Sequence, residues 1–156
     1  MLQAREDLGC CLGYDGFIYV AGGVNHSNNI VNSCERYNWQ KKSWETVPQM
    51  NRQRRSFTLV ALPHGIMAIG GHSSLKTLPF VEILDFNRWE WIELTPMNEP
   101  RCYHSAIVTK DYQTISVFGG FADAKDLDSI EIYEMESNSW TNGGRMKQGR
   151  CLHASI

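Results

Sequence analysis

Two Cys-x-His pairs carry the most evident ligand chemistry in the chain, Cys102-x-His104 and Cys151-x-His153. Four such side chains would suit a tetrahedral zinc ion. Both pairs stand at the same place in a repeat described below, so both would point the same way from their strands. Against a metal site, Cys-x-His is not a usual zinc spacing. The equivalent earlier positions, Arg55 and Phe57, offer no ligands. A structural role is therefore set above metal binding, and no metal or cofactor is expected. The chain has no nucleophile motif, no phosphate loop and no carboxylate pair set apart from the repeats, so no catalytic residue is expected either.

Composition narrows the field further. Five cysteines (Cys10, Cys11, Cys34, Cys102, Cys151) make an odd count with no disulfide-scaffold spacing, and are read as reduced thiols in a cytosolic protein. The 156 residues are 42% hydrophobic with a net charge of −2, enough for one domain with a real core. So small a charge argues against a nucleic-acid or membrane-surface partner. No apolar run approaches a membrane span, and the charged opening Met1–Asp7 is unlike a signal peptide. Asn25-His26-Ser27 is formally a glycosylation sequon and is read as a polar loop.

The elements that must position these side chains are short. Apolar and aromatic runs such as Phe17–Val20, Ile66–Ile69 and Ile115–Phe118 are separated by turn signals, Asp15-Gly16 among them. The pattern predicts strands over 5–12, 17–20, 31–37 and 43–47. It repeats over 56–62, 66–69, 81–84 and 91–94, then over 103–108, 115–118, 127–133 and around Trp140. Nothing has helical period, which indicates an all-β protein.

The same ruler fits three times. From Gly22-Gly23 the chain reaches Tyr37, then Trp44, Met50 and Arg54 in steps of seven, six and four residues. Gly70-Gly71 leads by the same last three steps to Leu84, Trp91, Met97 and Arg101, and Gly119-Gly120 to Tyr133, Trp140, Met146 and Arg150. A period of about 48 residues is the mark of a solenoid, propeller or array, and four strands per repeat is the unit of a propeller blade.

Over nearly its whole length the chain resembles kelch repeats. Gly-Gly, Tyr, Trp, Met and Arg recur in register, with Val31, Leu78 and Leu127 six residues before the Tyr position and Glu35, Glu82 and Glu131 two before it. Leu84 departs from the expected Tyr, and Trp39, Phe86 and Met135 stand where proline is common. The resemblance implies a kelch-type β-propeller with three four-stranded blades (about 5–50, 54–97 and 101–146) and the first strand of a fourth (150–156). It is expected to be a piece of a longer propeller, since three blades do not close a ring. The double glycines are expected to leave the second strand through conformations closed to other residues. The tryptophans are expected to be mostly buried between blades, and the repeated Arg and Glu to form ion pairs or bind loop carbonyls.

Function must then lie in what differs between repeats. With strands lettered A to D from the channel outward, the B–C loops and the D-to-A connectors emerge on one face. Kelch propellers resembling this one in cullin-based ubiquitin ligases hold peptides there, just after the repeat Arg and just after Gly-Gly. By motif position those places are Arg55, Ser56, Cys102, Tyr103, Cys151 and Leu152, with Val24, His72 and Phe121. The connector Asn51–Arg55 is basic and the loop Asp123–Asp128 acidic. A basic pocket beside Tyr103 and Phe121 would hold an acidic or phosphorylated peptide. The alternative leaves Arg52 solvated and Arg54 structural.

Copper radical oxidases are also kelch-like propellers, but they need a tyrosine crosslinked to a distant cysteine. Cys102 and Tyr103 are adjacent and cannot make that crosslink with each other, and a galactose-oxidase-like enzyme is the weakest reading. The expected function is a non-enzymatic module that binds a protein or peptide, as the substrate receptor of a ubiquitin ligase or as a cytoskeletal or scaffold protein. A cytoplasmic location would follow, with association to the cytoskeleton under the second of these roles. The first role needs a BTB domain, which these 156 residues do not contain.

Overall fold

A computed structural model describes residues 1–154. In chain order the strands are β1 (Arg5–Glu6), β2 (Gly9–Leu12), β3 (Ile18–Ala21), β4 (Val24–Asn25), β5 (Cys34–Asn38), β6 (Ser43–Val47), β7 (Thr58–Leu62) and β8 (Gly65–Ile69). They continue with β9 (Val81–Asp85), β10 (Glu90–Leu94), β11 (Ser105–Val108), β12 (Thr114–Phe118), β13 (Phe121–Ala122), β14 (Lys125–Asp126), β15 (Ser129–Glu134) and β16 (Ser139–Arg145). Three four-stranded antiparallel sheets result: β2-β3-β5-β6, β7-β8-β9-β10 and β11-β12-β15-β16. These are the three expected blades. The described residues contain no helix, and so none long and apolar enough to cross a membrane.

Pairing runs within each repeat, from Ile18↔Tyr37 and Tyr37↔Trp44 in the first blade to Tyr133↔Trp140 in the third. The inner strands β2, β7 and β11 stand side by side. Strand β8 is buried along its whole length because both of its faces are covered. Ile66 and Ala68 pack toward the first blade with Tyr19, Phe57, Leu84 and Trp91. Met67 and Ile69 pack toward the third with Val60, Ile115, Tyr133 and Trp140. The unbroken apolar run of this strand is thus the signature of a sheet with a blade on either side. Leu84, standing where tyrosine is expected, fills its place with no exposed surface.

Each blade's second strand ends at its glycine doublet. Gly70 and Gly71 have φ of 62° and 102°, and a Cβ on Gly70 would sit 2.6 Å from the carbonyl oxygen of Arg101. Gly71 donates its amide to that same oxygen at 2.9 Å. The doublet is therefore the seat on which the next connector rests, and a side chain there would displace it. The other doublet in the sequence, Gly143-Gly144, lies inside β16, where Gly143 is the extra residue of a bulge opposite Ile130 and Glu131.

Trp91 and Trp140 are buried, and each indole N–H donates 2.8 Å to a backbone carbonyl of the preceding blade, Pro48 and Thr95 respectively. Trp44, expected to be mostly buried, is only half-buried. The reason is positional: it belongs to the first blade, and no blade precedes it among the described residues. On the face opposite the connectors, the Tyr14 ring meets Tyr112 edge-on at 5.2 Å, joining the first A–B turn to the third.

The N-terminal segment 5–12 is two pieces. The ribbon β1 pairs with β4, and only β2 is an inner strand. Of the inner strand expected at 150–156, residues 150–154 form no ladder, since the described residues contain no second strand of that blade to pair with. Residues 155–156 lie outside the described residues.

Candidate functional site

The rim is built from the connectors that lead into each inner strand. Each opens with the repeat arginine, and three of these do the same work. Arg54 donates to the carbonyls of Gly70 and Phe80, both at 2.8 Å, and pairs with Glu82 at 2.7 Å. Arg101 does so with Gly119, Ser129 and Glu131, and Arg5 with Gly22, Ser33 and Glu35. Both sequence alternatives, ion pair and loop-carbonyl bonds, hold at once. Arg150, the fourth repeat arginine, is exposed, while its carbonyl accepts from the Gly120 amide at 2.9 Å.

Two residues after each arginine the backbone is left-handed. Asp7, Ser56, Tyr103 and Leu152 have φ of 53°, 54°, 53° and 54°. For residues with a Cβ this conformation costs about 1–2 kcal/mol each. A hydrogen-bonded ladder holds it. The Ser56 amide donates to the Asp7 carbonyl at 2.8 Å, Tyr103 to Ser56 at 2.9 Å and Leu152 to Tyr103 at 2.9 Å. The four residues therefore run from blade to blade on the connector face.

The residue between arginine and rung pairs with the residue after Gly-Gly. Arg55 bridges His72 and Cys102 bridges Phe121, each through two backbone hydrogen bonds. These are the positions the motif carry-over named, and they meet two by two. Glu6↔Val24 is the same pair in the first blade. Glu6 escaped sequence reasoning, although Arg5 beside it carries the signal that would have found it. Val24 itself is almost wholly buried. Cys151 is half-buried, and Leu152 is 76% exposed at the far rung.

Arg55, His72, Cys102, Tyr103 and Phe121 line one cleft of about 570 Å³ between the B–C loops of the second and third blades. Leu75, 90% exposed at the tip of the loop from Ser73 to Lys76, overlooks it. Ser56 takes part through its ladder rung, and its hydroxyl lies 3.3 Å from the Asp7 carboxylate. Lys76 and Asp123 supply the remaining charges of the lining.

The basic connector resolves into three arginines with three roles. Arg54 is core structure. Arg52 keeps 38% of its side-chain surface in solvent, but it is not free: it pairs with Glu93 at 2.9 Å and lies 3.8 Å from the centre of the Phe80 ring. Arg55 faces the cleft, with one loose partner, Asp7, at 3.8 Å; both side chains are 38% exposed. In the acidic loop, Asp128 is held by Arg145 at 2.7 Å, which leaves Asp123 toward the cleft.

The Cys-x-His pairs do not converge on a common point. The Cys102 thiol turns to the Phe121 carbonyl at 3.4 Å, while the His104 ring packs against Gly70, as the Phe57 ring packs against Gly22. Burial pushes the Cys102 thiol up, and the hydrogen bond that the Cys151 thiol donates to the Asp126 carboxylate raises that of Cys151. Neither is poised to become the thiolate that zinc prefers. Burial also holds the His104 imidazole down to about 3. Among the described residues, no three His, Cys, Asp or Glu side chains gather as a metal site would require.

Comparison with known proteins agrees with this geometry. The model of the family described as the KLHDC2/KLHL20/DRC7 Kelch-repeats domain matches residues 9–155. The chain is 30% identical over 119 residues to Kelch-like protein 36 of Rattus norvegicus, covering 74% of this chain and 19% of that protein. It is 29% identical over 93 residues to an F-box/kelch-repeat protein of Arabidopsis thaliana, covering 56% of this chain and 22% of that one. The corresponding figures for Kelch-like protein 8 of Caenorhabditis elegans are 36% over 67 residues, 43% and 10%. The chain thus spans about a fifth of the length of the first of these relatives.

Proposed function

The chain belongs to the kelch-repeat family, and from that premise we propose that it binds an acidic or phosphorylated segment of a partner protein on the rim at Arg55. The supporting observation is a half-exposed guanidinium with one loose carboxylate partner, set in a cleft with Tyr103 and Phe121. A carboxylate or phosphate fits that donor, and the aromatic walls suit the neighbouring side chains of an extended peptide. The test is a pull-down from cell extract with and without excess acidic peptide, repeated with Arg55→Glu. The peptide should compete, and Arg55→Glu should weaken capture and flatten its salt dependence. Capture that ignores both sinks the reading.

The finer role is that of a substrate receptor for a cullin-type ubiquitin ligase, within a longer cytoplasmic protein whose further blades receive Arg150. The relative that pairs an F-box with kelch repeats supports it. Recovery of a cullin with the full-length protein would favour this role. Co-sedimentation with actin filaments and no cullin would favour the cytoskeletal or scaffold alternative. Metal analysis of purified protein tests the galactose-oxidase-like reading, which requires bound copper.

A further inference from the structure

We propose that Asp7 is a built-in competitor for the rim: an incoming peptide carboxylate takes its place at Arg55, and the peptide's two flanks settle into two clefts of unlike chemistry. This rests on the rim reading above and adds to it the route of binding and the character of the peptide.

Arg55 lines two clefts at once. On the side of the third blade is the cleft already described, walled by Tyr103 and Phe121 and overlooked by Leu75. On the side of the first blade is a second, of about 650 Å³, where Asn25, Asn28, Asn29, Gln53 and Ser74 supply amide and hydroxyl groups. Arg55 is the only charged side chain in that second lining. A peptide laid along the rim therefore meets hydrogen-bonding groups, then a cation, then aromatic and aliphatic surface. Its complement is a segment with an acidic residue at the centre, polar residues on one flank and an apolar anchor on the other.

Asp7 now occupies the acidic place. Its contact with Arg55 is long and solvent-exposed, the kind of ion pair that contributes little. Its backbone is fixed by the ladder, since its carbonyl accepts from Ser56. Only the side chain needs to turn away, and the Ser56 hydroxyl can keep hold of it. Exchange of one carboxylate for another leaves the charge at Arg55 satisfied throughout.

The test uses ten-residue peptides with a fixed central Glu and randomised flanks, selected on the immobilised protein. The recovered peptides are then titrated against the wild type, Asp7→Asn, Glu6→Gln and Arg55→Glu. Asn tolerates left-handed backbone, so Asp7→Asn removes the charge and keeps the rung. Glu6→Gln removes the same charge from the adjacent position. The expected results are binding roughly two- to five-fold tighter with Asp7→Asn, a smaller gain with Glu6→Gln, and apolar residues enriched on one flank only. Equal gains from both variants, no gain from Asp7→Asn, or flanks without asymmetry would overturn the proposal while Arg55→Glu still abolished binding. If no peptide is recovered, or Arg55→Glu binds like the wild type, the rim reading fails and this inference with it.

Discussion

The Arg54 guanidinium lies 2.7 Å from the Glu82 carboxylate, and neither side chain has more than 1% of its surface in solvent. Removing one partner leaves a buried charge without its counterion. Arg54→Met would in addition strand the carbonyls of Gly70 and Phe80. We expect Arg54→Met to cost about 3–5 kcal/mol, measured by urea unfolding. Arg145→Met breaks an ion pair whose arginine is 75% exposed, and should shift the same curve by less than about 1 kcal/mol.

His104 sets a pH dependence. Burial depresses its folded pKa to about 3, against about 6.5 for a free imidazole. Between those values the unfolded chain binds a proton that the folded one refuses. Stability is therefore complete above pH 6.5 and falls as the pH drops toward 3. At pH 4.5 the loss from this group should be on the order of 2 kcal/mol. His104→Phe copies what Phe57 does one blade earlier, and should remove most of that slope. An unchanged slope between pH 7 and 4.5 would show that the imidazole titrates freely.

The left-handed rung at Ser56 makes a conformational prediction. Asn accepts this backbone and a β-branched residue does not. Ser56→Asn should unfold at nearly the wild-type temperature, and Ser56→Ile should lose about 1–2 kcal/mol. Equal midpoints for the two variants would mean that the rung is not constrained.

The tryptophans should differ in rank. Trp140→Ala empties a buried site and frees the Thr95 carbonyl, at a cost of about 3–5 kcal/mol. Trp44→Ala should cost clearly less, because Trp44 is only partly buried. Fluorescence offers a second readout: Trp140→Ala should remove blue-shifted emission and Trp44→Ala red-shifted emission.

What could be read in the sequence is what the fold repeats. Ser43–Val47 stands at its expected limits, and the glycine doublets end β3, β8 and β12 as expected, because three copies reinforce each signal. Arg55, His72, Cys102 and Phe121 are legible by motif position for the same reason, and their pairing is not. Features carried by backbone alone were not. Ser56, Tyr103 and Leu152 are placed by motif position, but the left-handed conformation they share with Asp7 is not, because the four have no residue type in common. Two-residue ribbons such as β13–β14 have no periodicity to detect. The lodging of Arg52 between Glu93 and Phe80 depends on contacts with a neighbouring blade, which local sequence does not encode.

The repeat arginine opens a blade and binds that blade's own loops, and the repeat tryptophan reaches back to the blade before. The tryptophan bonds, Trp91 to Pro48 and Trp140 to Thr95, belong to the junctions, and a blade parted from its neighbour loses them. The unit that melts should thus be the seam and not the blade. Damage at Arg54 should loosen Trp91 before it loosens Trp140, because Trp91 shares the Arg54 junction and Trp140 the next. In a chain built this way, stability is a sum over neighbours, and a weak junction is felt first by the two blades that share it.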